Sequence, residues 1–341
     1  MTVIGKRVLV TGGAGFIGSH LVERLLRNGN QVTVIDNFND FYDMRIKREN
    51  IAACLMNPKF NLIEGDIRSP IDLDEVFEHG PFDVVVHLAA MAGVRPSLRD
   101  PALYMDVNIL GTQRLLDKVA KSARLMSECA PLFVFGSSSS VYGERAFEKF
   151  SETDIVDRPM SPYAASKAAG EMVCHAFHNA TGIDVVCLRF FTVYGPRQRP
   201  DLAIHKFCKA IDEGKPIEVF GDGSSLLDYT FIADILDGVE KAMQLAKPGF
   251  EIINLGRSEP VRLLDMIRVL EKHLRKRAQL THLPMQTGDV PNTFANIEKA
   301  RRMLAYEPST SFESGAEQFV NWYIARTTIA PPPGISTSTV A

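Results

Sequence analysis

The chain has 341 residues, with 38 Lys and Arg against 41 Asp and Glu, a formal net charge of −3; 45% of residues are hydrophobic and 23% charged. These are the proportions of a globular protein with a sizeable core, folded as one large domain or two modest ones. They exclude the basic footprint of a nucleic-acid or anionic-membrane binder, and the most apolar stretch, Val84–Val94, is broken by His87 and far short of the roughly 20 residues of a membrane span.

Lys6–Thr11 reads as a short buried strand. Leu21, Leu25 and Leu26 then keep helical spacing until Asn28-Gly29 ends it. Gln31–Ile35 is the next strand. Asn61–Glu64 and Asp83–Leu88 follow as strands, with a helix near Asp72–Phe77 between them. Leu110–Ala123 is helical, Leu132–Phe135 a strand, Ala164–Asn179 a helix and Val185–Arg189 another strand. Strands alternating with helices in this way predict parallel βαβ units: an α/β fold with a doubly wound parallel sheet. Beyond about 195 the elements shorten between Gly195-Pro196, Gly214-Lys-Pro216, Gly221-Asp-Gly223 and Lys247-Pro-Gly249. This predicts a Rossmann domain over 1–195, joined by later crossover segments near 225–260, and a smaller mixed α/β substrate-binding region over 196–326. Residues 327–341 have the composition of a disordered tail.

The N-terminus runs into a strand without an apolar leader, and the five cysteines, at 54, 129, 174, 187 and 208, form no CxxC pair. Both features lead one to expect a cytoplasmic protein with free thiols rather than a disulfide scaffold or a zinc site. His175 and His178 share a helical face but have no third ligand nearby in sequence, so no metal is expected.

Thr11-Gly-Gly-Ala-Gly-Phe-Ile-Gly18 sets Gly12, Gly15 and Gly18 after a strand and at the opening of a helix. Glycine there permits a tight turn and close backbone approach, and the helix N-terminus offers N–H donors to a pyrophosphate. Asp36, at the end of the second strand, suits the ribose hydroxyls and repels a 2′-phosphate, which favours NAD over NADP. Arg45, Lys47 and Arg48 belong to a following helix. Tyr163-Ala-Ala-Ser-Lys167 then sets a lysine one helical turn after a tyrosine. The Lys167 ammonium and a nicotinamide charge would lower the phenol from about 10 toward neutrality and make Tyr163 a general base.

The order of these motifs resembles that of the extended short-chain dehydrogenase/reductases, specifically the NAD-dependent nucleotide-sugar epimerase/dehydratase family. The resemblance covers roughly residues 5–325. It implies a homodimer acting on a UDP-sugar, with NAD contacts at Phe16, Ile17, Asn37, Asp66, Ile67, Leu88, Ala89, Ala90 and Asn108 besides Gly12, Gly15, Gly18, Asp36, Tyr163 and Lys167. Ser137-Ser-Ser-Ser-Val-Tyr-Gly143 and Arg189-Phe-Phe-Thr-Val-Tyr-Gly-Pro196 match the family's sugar-site segments. Asp36-Asn-Phe-Asn-Asp40, Ala89-Ala-Met-Ala-Gly-Val-Arg-Pro-Ser97, Phe191–Asp201 and Pro284–Val290 resemble the members that epimerise UDP-glucuronate at C4. That implies Tyr163, Lys167 and Ser138 as catalytic residues. It implies substrate contacts at Ser138, Ser139, Ser140, Tyr163, Thr192, Arg199 and Asp289, with Arg95 adding charge at the C6 carboxylate. Dehydratases and decarboxylases of the family carry a glutamate just before Val-Tyr-Gly, where this chain has Ser140. The open alternatives are epimerisation of another UDP-hexose, an oxidoreductase that releases NADH, and a cofactor-bound sensor without turnover.

Three positions depart from the family's pattern. Leu227 precedes Asp228-Tyr229 where an arginine usually meets the nucleotide pyrophosphate. Ala233-Asp234 replaces an Asp pair, and Ala295-Asn296 an Ala-Asp pair. Leucine cannot pair a phosphate, which leaves two alternatives open: Arg197, Arg199 or Lys206 compensates, or the nucleotide donor differs from the standard one.

Overall fold

The computed structural model describes residues 3–125, 130–144, 148–284 and 292–328. The strands are Arg7–Thr11 (β1), Gln31–Asp36 (β2), Phe60–Glu64 (β3), Val84–His87 (β4), Leu132–Ser138 (β5), Val185–Phe190 (β6), Thr192–Tyr194 (β7), Pro216–Phe220 (β8), Leu226–Phe231 (β9), Phe250–Leu255 (β10), Pro260–Arg262 (β11) and Gln279–Leu283 (β12). Seven of them form one parallel sheet in the order β10-β6-β5-β4-β1-β2-β3. The valine- and isoleucine-rich runs of β1, β2, β4 and β6 are buried almost throughout, because helices cover both faces of the sheet. Strand order reverses between β1 and β4. A crevice therefore opens at the carboxyl ends of these strands, where doubly wound sheets bind their ligands.

The element boundaries differ from the sequence pattern where polar residues continue the ladder. β5 runs past Phe135 to Ser138, since Ser137 and Ser138 still pair with Arg189 and Phe190 of β6. The helix expected over Leu110–Ala123 begins as a π-helical turn, Asp106–Gly111, and continues as an α-helix over Thr112–Leu125. Thr112 Oγ1 donates to the Asn108 carbonyl at 2.7 Å, serving as partner within the widened turn. The last helix, Phe312–Thr328, takes in Thr327 and Thr328. The remainder of the expected tail, like Cys129, lies outside the described residues.

After β6 the chain leaves the main sheet for β7, which pairs with β9 and through it with β11; β8 pairs with β12. β10 returns to the main sheet beside β6. Buried Asp228 ties these crossings together. Its carboxylate accepts from the backbone N–H groups of Arg257, Ser258 and Ala295 at 2.8, 2.9 and 3.1 Å. Among the described residues no helix is long and apolar enough to cross a membrane.

Candidate active site

A cavity of about 490 Å³ fills the crevice. One end is lined by Gly12, Gly15, Phe16, Ile17 and Gly18. Gly12 has φ +71°, and a Cβ there would lie 2.8 Å from the Ala89 nitrogen, so the turn itself demands glycine. At Gly15 a Cβ would meet only the Gly12 carbonyl, at 3.3 Å. Gly15 caps the Phe16–Arg27 helix with no side-chain cap, leaving the first N–H groups of that helix for a ligand. This is a cradle fitted to a pyrophosphate.

Asp36 lies at the next strand end. Its Oδ2 accepts from Ala14 N–H at 3.0 Å and its Oδ1 from Phe38 N–H at 2.9 Å. Burial pushes this carboxyl up, while Lys47 and the two N–H groups pull it back. The carboxylate thus holds the glycine turn and keeps a second lone pair on each oxygen for ribose hydroxyls. Lys47 lines the same cavity and donates to the Asn39 carbonyl at 2.8 Å. Asn37 donates to Asp66 at 2.9 Å. Burial alone would raise Asp66, but its hydrogen bonds from Arg68 and Asn37 hold it down at about 2. Ile67, Leu88, Ala89 and Ala90 complete the wall.

Asn108, expected at the cofactor, does not line the cavity. It is buried behind it, because its side chain clamps two other segments. Its Oδ1 accepts from Met91 N–H at 2.8 Å, and its Nδ2 donates to the Met91 carbonyl and to Ser166 Oγ, both at 2.9 Å. Ser166 in turn donates to the Tyr163 carbonyl at 2.8 Å. His87 extends this chain toward the glycine turn. Since Thr112 Oγ1 donates to Asn108, it accepts from His87 Nε2 at 2.8 Å; His87 Nδ1 then accepts from Thr11 Oγ1 at 2.7 Å. Burial pushes His87 down to about 3, so it stays neutral. The signal in the sequence was a histidine inside an otherwise apolar strand.

Tyr163 opens the Pro162–Thr181 helix, whose N-cap Ser161 accepts from Ala164 N–H at 3.1 Å. Lys167, one turn on, is buried; its Nζ donates to the Gly136 carbonyl at 2.7 Å and lies 5.1 Å from the Phe135 ring centre. Burial lowers Lys167 to about 8. The Tyr163 phenol is not lowered as the motif suggests. Burial pushes it up, and the groups that pull it back are the Ser138 hydroxyl, hydrogen-bonded to it, and the Arg199 guanidinium. Lys167 is turned to Gly136 instead, and the nicotinamide charge that the expectation also invoked belongs to no residue of the chain. Ser138 Oγ donates to Ser140 Oγ at 3.2 Å and accepts from Ser140 N–H at 3.2 Å, which fixes the serine turn.

Beneath this turn is a buried ion pair that the sequence reading did not single out. Glu171 receives Arg189 Nε at 2.9 Å, Arg189 Nη2 at 2.7 Å and Ser137 Oγ at 2.5 Å. The Arg189 guanidinium lies 4.7 Å from the Tyr142 ring centre. The available clue was Glu171 four residues after Lys167, on the same helical face.

Ser139, Ser140, Thr192 and Val94 line both this cavity and a second one of about 300 Å³. Arg199 points into the first, chelated by Asp201 at 2.9 and 2.8 Å and 5.3 Å from the Phe41 ring centre. Arg95 does not share that space. It lines the second cavity with Leu227, its guanidinium 4.6 Å from the Phe220 ring centre. Neither Arg197, paired with Glu23 at 2.6 Å, nor exposed Lys206 lines either cavity. Asp289 lies outside the described residues, and among those described no three metal-ligating side chains cluster. The His175 and His178 rings both pack on Phe250.

Residues 9–319 match the family model described as GDP-mannose 4,6 dehydratase. The chain is 41% identical to UDP-glucuronate 4-epimerase 2 of Arabidopsis thaliana over 336 residues, covering 94% of this chain and 76% of the relative. It is 41% identical to the UDP-glucuronate 4-epimerase of Thermodesulfobacterium geofontis over 317 residues, 92% of this chain and 95% of the relative. The crystal structure of UDP-glucuronic acid 4-epimerase from Bacillus cereus, in complex with UDP-glucuronic acid and NAD, superposes with a TM-score of 0.87 at 39% identity, over 94% of this chain and 99% of that one.

Proposed function

The chain belongs to the GDP-mannose 4,6 dehydratase family, and from that premise we propose that it is an NAD-dependent UDP-sugar 4-epimerase interconverting UDP-glucuronate and UDP-galacturonate. The observation that carries this reading is the hydroxyl wall of Ser138, Ser139, Ser140 and Thr192 beside Tyr163, with no carboxylate at position 140. Family membership does not make it a dehydratase. Dehydration removes the C5 proton of a 4-keto sugar and expels the C6 hydroxyl as water, which requires an acid/base pair, and the position that supplies its glutamate in the dehydratases is Ser140 here.

NAD, when bound in the first cavity, serves as reversible hydride acceptor for C4. The glycine turn, the uncapped helix start and Asp36 are the residues fitted to hold it. Tyr163 removes the proton from the C4 hydroxyl, and Ser138, hydrogen-bonded to the phenol, orients that hydroxyl. Arg199 favours the phenolate electrostatically, and Lys167, held by the Gly136 carbonyl, adds its ammonium to the same cavity wall. Epimerisation requires the 4-keto sugar to present its other face before Tyr163 returns the proton to O4. That sugar is a β-keto acid, prone to lose CO₂. Hydroxyls of Ser139, Ser140 and Thr192 that hold the C6 carboxylate near the ring plane keep the C5–C6 bond out of line with the ketone π-system, so epimerisation outruns decarboxylation. Arg199, beside Tyr163, contributes positive charge at this end of the cavity.

The reading extends to a cytoplasmic homodimer. The four described cysteines are free thiols, as a reducing compartment keeps them. Leu98, Leu110 and Met172 are exposed apolar side chains on neighbouring segments that a second copy would cover. Light scattering checks the dimer, and cell fractionation the compartment.

Incubation with a panel of UDP-sugars, followed by proton NMR of the products, tests the activity. UDP-glucuronate should give UDP-galacturonate with little pentose. UDP-xylose or UDP-4-keto-pentose as the main product would overturn the assignment, and exclusive turnover of UDP-glucose would move it to the hexose epimerases.

A further inference from the structure

The loop after β2 is held to one shape. Three of its side chains accept from backbone N–H groups two residues on: Asp36 from Phe38 at 2.9 Å, Asn37 from Asn39 at 3.1 Å and Asn39 from Phe41 at 2.8 Å. Buried Lys47, on the Met44–Ile51 helix, donates to the Asn39 carbonyl at 2.8 Å. Turns of this kind satisfy the polar groups of a loop locally and fix its path. The path delivers Phe41 into the first cavity. Its ring packs against the buried cluster that includes Met91 and Tyr104, and a Cβ at Gly93 would lie 3.8 Å from the tip of the ring. Over that ring stands Arg199, its guanidinium 5.3 Å from the ring centre. Arg199 comes from the segment after β7, is chelated by Asp201 at 2.9 and 2.8 Å, and is only 18% exposed at its side chain. Since β2 belongs to the seven-stranded sheet and β7 to the three-stranded one, the contact ties the two sheets together. Both side chains line the first cavity, Phe41 on the loop that begins at Asp36 and Arg199 beside Tyr163. The contact therefore joins the ribose end of the cavity to its catalytic end, the two ends that one dinucleotide occupies together.

We propose that Phe41 and Arg199 form a clasp that keeps NAD in the protein throughout the catalytic cycle. The inference rests on the NAD-dependent reading above and is independent of which UDP-sugar is turned over. An epimerase needs such retention, because the 4-keto sugar can be reduced again only if the reduced cofactor has not left. A dehydrogenase needs the opposite, release of the reduced cofactor after every turnover. The clasp thus separates the epimerase from an NADH-releasing oxidoreductase on ground other than the sugar site. Phe41 acts here through Arg199 and the loop, as a cofactor-retaining residue rather than a catalytic one.

The test measures exchange of isotopically labelled NAD into the NAD-loaded full-length protein, without sugar, for wild type, Phe41→Leu, Arg199→Gln and the double variant Phe41→Leu/Arg199→Gln. Leucine keeps apolar bulk against the core, and unchanged unfolding midpoints verify the fold. Phe41→Leu should exchange about 3- to 30-fold faster, the span of a cation–π contact largely removed from water. Arg199→Gln should exchange faster as well, and the double variant no faster than Arg199→Gln alone, because either change already opens the clasp. With UDP-glucuronate added, Phe41→Leu should shed NADH into solution, read by its absorbance. A gain below about 3-fold in Phe41→Leu would overturn the proposal. So would effects of the two changes that multiply, since each side chain would then hold the cofactor separately. Wild-type protein whose bound NAD exchanges within seconds would overturn it too. The exchange arms need no sugar, so their failure is distinct from failure of the epimerase reading, which the UDP-sugar panel decides.

Discussion

Glu171→Gln removes one charge from the buried pair under the serine turn and changes almost nothing in shape. The carboxylate receives two hydrogen bonds from Arg189, at 2.9 and 2.7 Å, and one from Ser137 at 2.5 Å. The side chains of the pair are 2% and 5% exposed, so water cannot replace the lost partner. Arg189 Nη1 already has no hydrogen-bond partner, which leaves the guanidinium dependent on this one carboxylate. Breaking a buried pair from one side typically costs about 3–5 kcal/mol, against about 0–1 kcal/mol for an exposed pair. We therefore expect a loss of about 3–5 kcal/mol. Urea unfolding followed by the fluorescence of Trp322, the single tryptophan, and by circular dichroism measures it. Because Ser137 adjoins Ser138, and Glu171 shares a helix with Tyr163 and Lys167, turnover should fall in the same variant. Glu171→Leu/Arg189→Met removes both charges and should recover much of the lost stability. A loss below about 1 kcal/mol in Glu171→Gln would refute the argument and mean that the pair is effectively solvated.

Tyr163→Phe should fold normally and keep its NAD content, yet lose about 10²- to 10⁴-fold in turnover; a near-wild-type rate would remove Tyr163 from the chemistry. Lys167, lowered by burial to about 8, is a cation only below that pH, so turnover that depends on it should decline as pH rises through about 8. The pH–rate profile of Lys167→Met should lack that limb. The same shift has a stability consequence. Between about 8 and the ordinary value of 10.5 the unfolded chain holds this proton and the folded one does not, so Lys167's contribution to stability improves as pH rises across that window. Asp36→Ala should weaken NAD and narrow its preference over NADP. It should also cost about 1–3 kcal/mol of stability, because the Ala14 and Phe38 N–H groups lose their acceptor. Unchanged cofactor selectivity would mean that the ribose is held elsewhere.

The sheet was legible because parallel strands buried on both faces write themselves as apolar runs, and the helices between them keep their 3.6-residue spacing. Gly12, Gly15 and Asp36 were legible for a related reason: a turn and a strand end leave few residue types that fit. What escaped was set by contacts distant in sequence. Glu171 meets Arg189 across 18 positions, and His87 meets Thr11 across 76. Asn108 was assigned to the cofactor from its motif, but only the fold reveals that its amide is engaged by Met91 and Ser166. Arg95 was read as a carboxylate contact because the segment Ala89–Ser97 resembles the UDP-glucuronate epimerases; its neighbour Val94 lines both cavities, whereas Arg95 lines only the second, beside Phe220. The phenol of Tyr163 shows the limit of motif chemistry, since spacing brings Lys167 near but cannot say that its ammonium bonds Gly136.

In this mechanism a hydride leaves C4 and returns to C4 on the other face while the C6 carboxylate stays in place. UDP-glucuronate deuterated at C4, turned over in ordinary water and followed by NMR, tests it most directly. The expected product is UDP-galacturonate with deuterium retained at C4 and the carboxylate intact. Loss of the label to the medium, or a pentose product with CO₂ released, would contradict it.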